Sequence, residues 1–327
     1  MTAARRVRPV ASTLAEQCRP RITWQRSLPA VGVALLLGLA AAVQAAPPQG
    51  ALPAEPLLLA QALNTTPPRT ESFEPQVGQA GKDVVWVPTP EVVVDSMLDM
   101  AKVKAGDFVV DLGAGDGRIA IAAAKRGARA LGIEYNPNMV ELARRNARQA
   151  GVKNVEFRQG DIFQSDFSQA DVITLYLLPT LNERLRPILL DMKPGTRVAS
   201  HQFTMGEWQA DQTTNLDGRQ ALFWIVPAKV GGEWTAQVQG EGAVRFSIEQ
   251  KYQKISGEGA WGDRRGPLTE PQLSGGQISF VVNDGGGKPQ RFAGTVDHNG
   301  RMSGTVTDAQ GRSRPFTATR TKTGAPS

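Results

Sequence analysis

The stretch VVDLGAGDGRIAIAAAKRGARALGIE, residues 109–134, constrains this chain more than any other. A short apolar run leads into a loop with three glycines, then into an alanine-rich helical stretch closed by Gly127. A second apolar run follows and ends on an acid. Two strands joined by a crossover helix run parallel and need cover on both faces. The alternation continues to about Pro227. PNMVELARRNARQAG reads as a helix opened by Pro137, and VEFRQGD and ADVITLYLLP as strands. TLNERLRPILLDMKPG reads as a helix that Pro187 kinks or breaks. TRVASHQF is the next strand, and QALFWIV adds a last one. Upstream, Val92, Val93, Met97, Leu98 and Met100 recur at helical spacing, with Pro90 near the first turn and Thr89 as the expected cap. The fold class is therefore α/β, a mainly parallel sheet with helices on both faces.

After Ala228 the pattern changes to short alternating segments such as AVRFSIEQKYQ, QISFVVN and RMSGTVTD. DGGG, DHNG and DAQG separate several of them and supply positive φ. This is the signature of a smaller antiparallel all-β domain, a meander able to curl into a barrel or sandwich. The division expected is 1–45 leader, 46–81 tether, 82–228 α/β domain and 229–327 β domain.

The leader reads as a signal peptide. Six arginines precede the apolar run LPAVGVALLLGLAAAV, and small residues favour cleavage near Ala45. Export would make the protein periplasmic or secreted, with no stable membrane span afterwards. The alternative is an inner-membrane anchor formed by an uncleaved leader. Residues 46–81 are rich in Pro, Ala, Gln and Thr, as in a disordered lead-in. The six leader arginines stand against Glu16 alone, so the rest of the chain carries only +1 of the net +6. That balance removes the electrostatic case for a nucleic-acid partner. Cys18, the single cysteine, lies in the leader, and the two histidines are far apart, so no metal site is expected.

The glycine loop decides the ligand. A dinucleotide loop reads G-x-G-x-x-G, whereas Gly113, Gly115 and Gly117 make G-x-G-x-G and Arg118 takes the third dinucleotide position. Asp111 stands inside the end of the preceding strand, where its charge repels a pyrophosphate and suits an ammonium and a sulfonium. Gly113, Ala114 and Gly115 let the loop backbone come close. Glu134 ends the second strand, where its carboxylate can take both ribose hydroxyls. Asp161 follows the third, where it can accept from an adenine amino group, with Ile162 beside it. All lie at the carboxyl ends of parallel strands, in one crevice. Together they specify S-adenosylmethionine rather than NAD.

From about Asp83 to Trp208 the chain resembles class I, seven-stranded, Rossmann-like methyltransferases that use this cofactor. More narrowly, VPTP, DLGAGDGRIAIAAA, GIEYNP, ADVITLYLLPTLNERLRPILL and GTRVASHQFTMGEW resemble a bacterial methyltransferase group. That group is related to the mitochondrial lysine methyltransferases of the adenine nucleotide translocase and the ATP synthase c subunit. The resemblance assigns the cofactor loop to Asp111, Gly113, Gly115 and Gly117, the ribose acid to Glu134 and the adenine-site acid to Asp161. It places Tyr176–Pro179 (YLLP) toward the substrate and implies a protein lysine as acceptor, with a small molecule as the other option. Two departures are Ala114, where the family often has Ser, and Trp86, where it has Tyr.

Tyr176, at the end of the fourth strand, and His201, at the end of the fifth, are the candidate catalytic residues, His201 as a base. Trp86 and Thr89 are placed to close over the cofactor or simply to pack the first helix. His298, in a turn, receives no role. Two non-enzymatic alternatives stand beside methyl transfer: an exported binding protein on a degenerate methyltransferase fold, and a β domain that binds an envelope polymer or protein.

Overall fold

The computed structural model describes residues 73–324 apart from 84, 298 and 299. The leader, its cleavage site, most of the tether and His298 lie outside the described residues.

Thr70–Ser327 forms one compact unit. Its first layer set is built from α1 (Glu91–Met100), β1 (Phe108–Leu112), α2 (Arg118–Lys125), β2 (Arg129–Glu134), α3 (Pro137–Gln149), β3 (Val155–Gln159), β4 (Val172–Leu175), α4 (Pro179–Leu190), β5 (Arg197–His201), β6 (Gln212–Leu216) and β7 (Arg219–Ile225). The strands make a seven-stranded sheet in the order β3-β2-β1-β4-β5-β7-β6. The first five run parallel, and β7 and β6 are antiparallel. Strand order reverses between β1 and β4, which opens a crevice at their carboxyl ends. One face buries Val93, Met97, Ile119 and Ala143. The other buries Leu112, Ile173, Leu185 and Trp224.

Three local expectations change. Thr89 does not cap α1: Pro90 is the N-cap, without a side-chain bond, and the Thr89 hydroxyl bonds His201 instead. Pro187 does not break α4, which continues to Leu190. Pro187 and Glu183 are both exposed, so water can serve the carbonyl that the proline leaves without its donor. The strand at QALFWIV has an unforeseen partner, β6, joined through Asp217 (φ 51°) and Gly218 (φ 82°). Asp-Gly with both φ positive is a preferred hairpin turn. β6 leaves no hydrophobic pattern because, in an edge strand reading QTTNL, only Thr214 and Leu216 are half-buried and no residue is fully buried.

The second sheet holds β8 (Gly232–Val238), β9 (Ala243–Lys251), β10 (Lys254–Trp261), β11 (Arg264–Pro267), β12 (Thr269–Ser274), β13 (Gln277–Asn283), β14 (Pro289–Val296), β15 (Arg301–Asp308) and β16 (Ser313–Thr323). Its nine strands are all antiparallel, with β16 returning to pair with β8. β10 and β11 lie against β12 and β13, so the sheet curls toward a barrel. Trp234, Phe246, Phe280, Phe292 and Phe316 fill its interior, with rings at edge and stacked distances of 5.0 to 6.3 Å. Asp284, Asp297 and Asp308 each accept the backbone N–H four residues on, closing three turns of one design.

Candidate active site

β1 carries Asp111 into the crevice, where it is only 2% exposed. The parallel register sets it beside Thr174 of β4, whose hydroxyl donates to Asp111 Oδ1 at 2.7 Å. Among the described residues no cation pairs with it. Burial first, then the nearby charges of Asp116 and Glu134, pushes its carboxyl up to about 7 against the pull of the Thr174 bond. A carboxylate held dry and without a counter-ion is a receptor for a cation.

The loop after β1 folds back on β2, the N–H groups of Gly113 and Ala114 both donating to the Ile133 carbonyl at 2.9 and 3.0 Å. Gly115 has φ 55°, and a Cβ there would lie 2.9 Å from the Trp86 indole nitrogen. Its N–H donates to Glu134 Oε2, while Oε1 accepts from Asn136 N, each at 2.9 Å. Each oxygen keeps a second acceptor site, which is what a pair of vicinal hydroxyls requires. Gly117 has a packing task. It does not line the cavity, and a Cβ on it would fall 2.6 Å from the Phe157 ring and 2.9 Å from Ala143. It lets α2 start close against β3 and α3.

Asp111, Gly113, Ala114, Gly115, Glu134, Asp161 and Ile162 all line one cavity. Asp161 accepts from Phe163 N at 2.9 Å and pairs with Lys82 at 2.7 Å. The Lys82 bond, followed by the Phe163 amide, holds its carboxyl below the usual range. Lys82 also sits 4.5 Å from the Tyr135 ring centroid. It belongs to a strap, residues 78–83 with 85 and 86, paired on itself through Gly78–Trp86 and Gln79–Trp86 backbone bonds. Arg118, at the position that a third dinucleotide glycine would take, anchors the chain just before α1. It holds Asp116 and donates to the Thr89 carbonyl at 2.9 Å.

The two candidates for chemistry separate. Tyr176 lines the cavity beside Phe203, the rings stacked at 5.9 Å and 20°. His201 is 2% exposed and packs behind Tyr176, ring centroids 3.9 Å apart, with Nδ1 3.1 Å from Thr89 Oγ1. Burial, followed by the charge of Arg219, pushes its imidazole down to about 4. It is neutral at neutral pH and supports Tyr176 from the rear rather than facing the cavity. Lys82, Thr174 and Phe203 join the site without any sequence signal for them. A lone lysine in an irregular segment gives no periodicity, and Thr174 is found only through the β1–β4 register. Phe203, two residues past His201, is legible only as the end of a strand.

Among the described residues no group of three His, Cys, Asp or Glu side chains could hold a metal ion, and no helix is long and apolar enough to cross a membrane.

Residues 111–212 match the family model described as the ANTKMT methyltransferase domain. A protein-lysine N-methyltransferase of Saccharolobus islandicus is 43% identical over 138 residues, 41% of this chain and 86% of that protein. The mouse lysine N-methyltransferase of the ATP synthase c subunit is 35% identical over 131 residues, 39% of this chain and 53% of that protein. The chain thus spans about half the length of the mouse relative. Among solved structures, an RNA methyltransferase from Salinibacter ruber in complex with S-adenosyl-L-homocysteine is 53% identical over 44% of this chain and 96% of that one, with a TM-score of 0.43.

Proposed function

The chain belongs to the S-adenosylmethionine-dependent methyltransferase family that includes these protein-lysine methyltransferases, and from that membership we propose that it methylates the side-chain amine of a lysine in a protein. Kinship with named enzymes is what favours turnover over an exported, non-catalytic binder. The observation that carries the site is Asp111, a buried carboxylate with a hydroxyl donor and no cation.

The residues fit the cofactor. Asp111 would take its ammonium, the Gly113–Gly115 backbone would approach it closely, and Glu134 would use its remaining acceptor sites on the ribose. Asp161 and Ile162 would meet the adenine, and Trp86 would cover the loop. When bound, S-adenosylmethionine supplies the methyl group and carries its own leaving group. The protein's tasks are alignment, exclusion of water and management of charge. With the cofactor bound, the acceptor's neutral amine would take the methyl group, the sulfur would leave with its electron pair, and the site would have to accommodate positive charge on nitrogen. The aromatic rings of Tyr176 and Phe203 line the cavity, where they can favour that charge. The proton would then pass to solvent; among the described residues His201 lies behind Tyr176 and does not line the cavity as a base.

The test offers the purified chain methyl-labelled S-adenosylmethionine with separate protein and RNA fractions as acceptors. Label recovered as methyl-lysine is expected. Label in RNA, or S-adenosylhomocysteine binding without any transfer, would overturn the lysine assignment. The leader composition supports an exported, periplasmic or secreted enzyme, the anchored form being the alternative. Fractionation with N-terminal sequencing tests it, a mature start near Ala46 being the expected result.

A further inference from the structure

The segment between β5 and β6 builds one wall of the cavity, because it carries Phe203 against Tyr176. Its backbone is irregular, with positive φ at Gln202 (68°) and Gly206 (63°). Such a path makes few regular backbone bonds, so side chains from outside serve its carbonyls. Ser200 Oγ donates to the Phe203 carbonyl at 2.8 Å, Asn182 Nδ2 to Thr204 at 3.0 Å and Arg186 Nη1 to Met205 at 2.8 Å. The first donor comes from β5 and the other two from α4.

The other side of this segment is held by the β domain. Four consecutive residues of the β9–β10 turn each engage it. Lys251 pairs with Glu207 at 3.1 Å, and the Tyr252 ring stacks on Trp208 at 6.3 Å and 25°. Gln253 donates to the Gln209 carbonyl at 2.8 Å and to Asp211 at 3.1 Å, and Lys254 donates to the Gln209 side chain at 2.6 Å. Arg186, which holds Met205, also lies 5.7 Å from the Tyr252 ring centroid, so one side chain joins both clamps. Trp208 is fully buried, and Trp224 Nε1 donates to its carbonyl at 2.8 Å.

The turn itself is unusual for its chemistry. It connects two strands through Tyr252 and Gln253 alone, and Tyr252 has φ 55°. Glycine or asparagine normally takes such a place, and a large side chain is strained there. A strained residue persists when its surroundings over-determine it. Here Tyr252 is 9% exposed, its ring between Trp208 and Arg186. A turn needed only to reverse the chain would not carry this residue. Nor is the barrel a container, since aromatic side chains fill its interior.

We propose that the C-terminal β domain is a working part of the acceptor site: its 251–254 turn fixes the 202–209 segment and so the Phe203 wall, with Tyr252 as a positioning residue. This rests on the lysine assignment only for the choice of one probe. The experiment uses the full chain with Tyr252→Gly, which suits the positive φ while deleting the ring, and Tyr252→Phe, which keeps the stack. Amide exchange over residues 203–206 decides the coupling whatever the acceptor is. Tyr252→Gly should exchange there about tenfold faster, with Tyr252→Phe near wild type. Unchanged exchange overturns the proposal.

The second probe is a conjugate whose nitrogen, at the 5′ carbon of adenosine, carries both the 2-aminobutyrate arm of the cofactor and a lysine side chain, compared with S-adenosylhomocysteine. In Tyr252→Gly the conjugate should lose about tenfold in affinity, while S-adenosylhomocysteine stays within about twofold. Equal losses for both ligands would mark a general structural defect and overturn the positioning role. A conjugate loss absent in a loosened variant does the same. A wild type that binds the conjugate no tighter than S-adenosylhomocysteine refutes the lysine assignment instead, and leaves the exchange result to judge the coupling.

Discussion

Asp111→Asn makes the sharpest test of the cofactor site, because it acts in opposite directions on the free protein and on the complex. The free protein holds this carboxyl at about 7 instead of the ordinary 3.8, chiefly through burial. Between those two values the folded chain keeps a proton that the unfolded chain releases. Stability contributed by this group is therefore highest in acid, falls as pH rises through that window and is flat above about 7. A displacement of that size corresponds to roughly 4 kcal/mol lost at pH 8. Asparagine removes the charge and keeps an oxygen for the Thr174 hydroxyl, but its NH₂ gains a desolvation cost of about 1–3 kcal/mol. A net stabilisation of about 1–3 kcal/mol is expected at pH 8 and none at pH 5.

His201 sharpens the same experiment. Its imidazole is pushed down to about 4 by burial, so the unfolded chain takes up a proton near 6.5 that the folded chain refuses. That contribution falls as pH drops through this window, opposite in sign to that of Asp111. In the wild type the two offset each other over much of the same range. Asp111→Asn should therefore unmask a steeper loss of stability between pH 7 and pH 5, which His201→Gln in the same background should flatten. Binding goes the other way. Losing a charge-assisted bond to the ligand ammonium, worth about 3 kcal/mol, should weaken S-adenosylhomocysteine roughly a hundredfold at pH 8. Urea melts at the two pH values and calorimetry at pH 8 measure both effects. A variant destabilised equally at both pH values, or one that binds like the wild type, would refute the account of Asp111 as a dry, uncompensated receptor.

Three further outcomes follow from named contacts. Gly117→Ala should lose about 2–4 kcal/mol in urea melts, from a strained positive φ and a Cβ driven into Phe157, while the folded fraction binds S-adenosylhomocysteine normally; a loss of affinity without a loss of stability would put Gly117 back in the cofactor site. Lys82→Met should speed S-adenosylhomocysteine release in stopped-flow experiments by freeing the strap from Asp161, and an unchanged rate would make the strap a passive cover. Arg118→Gln loses the bond to the Thr89 carbonyl, which lies beyond the strap, and should change the release rate less than Lys82→Met does; an equal change would extend the strap to Thr89.

What is legible in the sequence, and what is not, divides along the length of chain that each interaction closes. Asp111, the glycine loop and Glu134 belong to one strand–loop–helix–strand unit, whose covalent geometry sets their spacing before any tertiary contact forms. Even the Gly115–Glu134 bond lies within that unit. Thr174 reaches Asp111 from the next parallel strand, Lys82 reaches Asp161 from a segment with no periodicity, and Tyr252 reaches Trp208 from another sheet. Each of these depends on register or docking, which no local pattern encodes. The same division bears on function. The part that holds the cofactor is local and directly readable, whereas the wall that faces the acceptor is assembled from β4, the β5–β6 segment and a turn of the β domain. A variant with a perfect cofactor loop and no β domain should bind S-adenosylhomocysteine and still fail to select its acceptor.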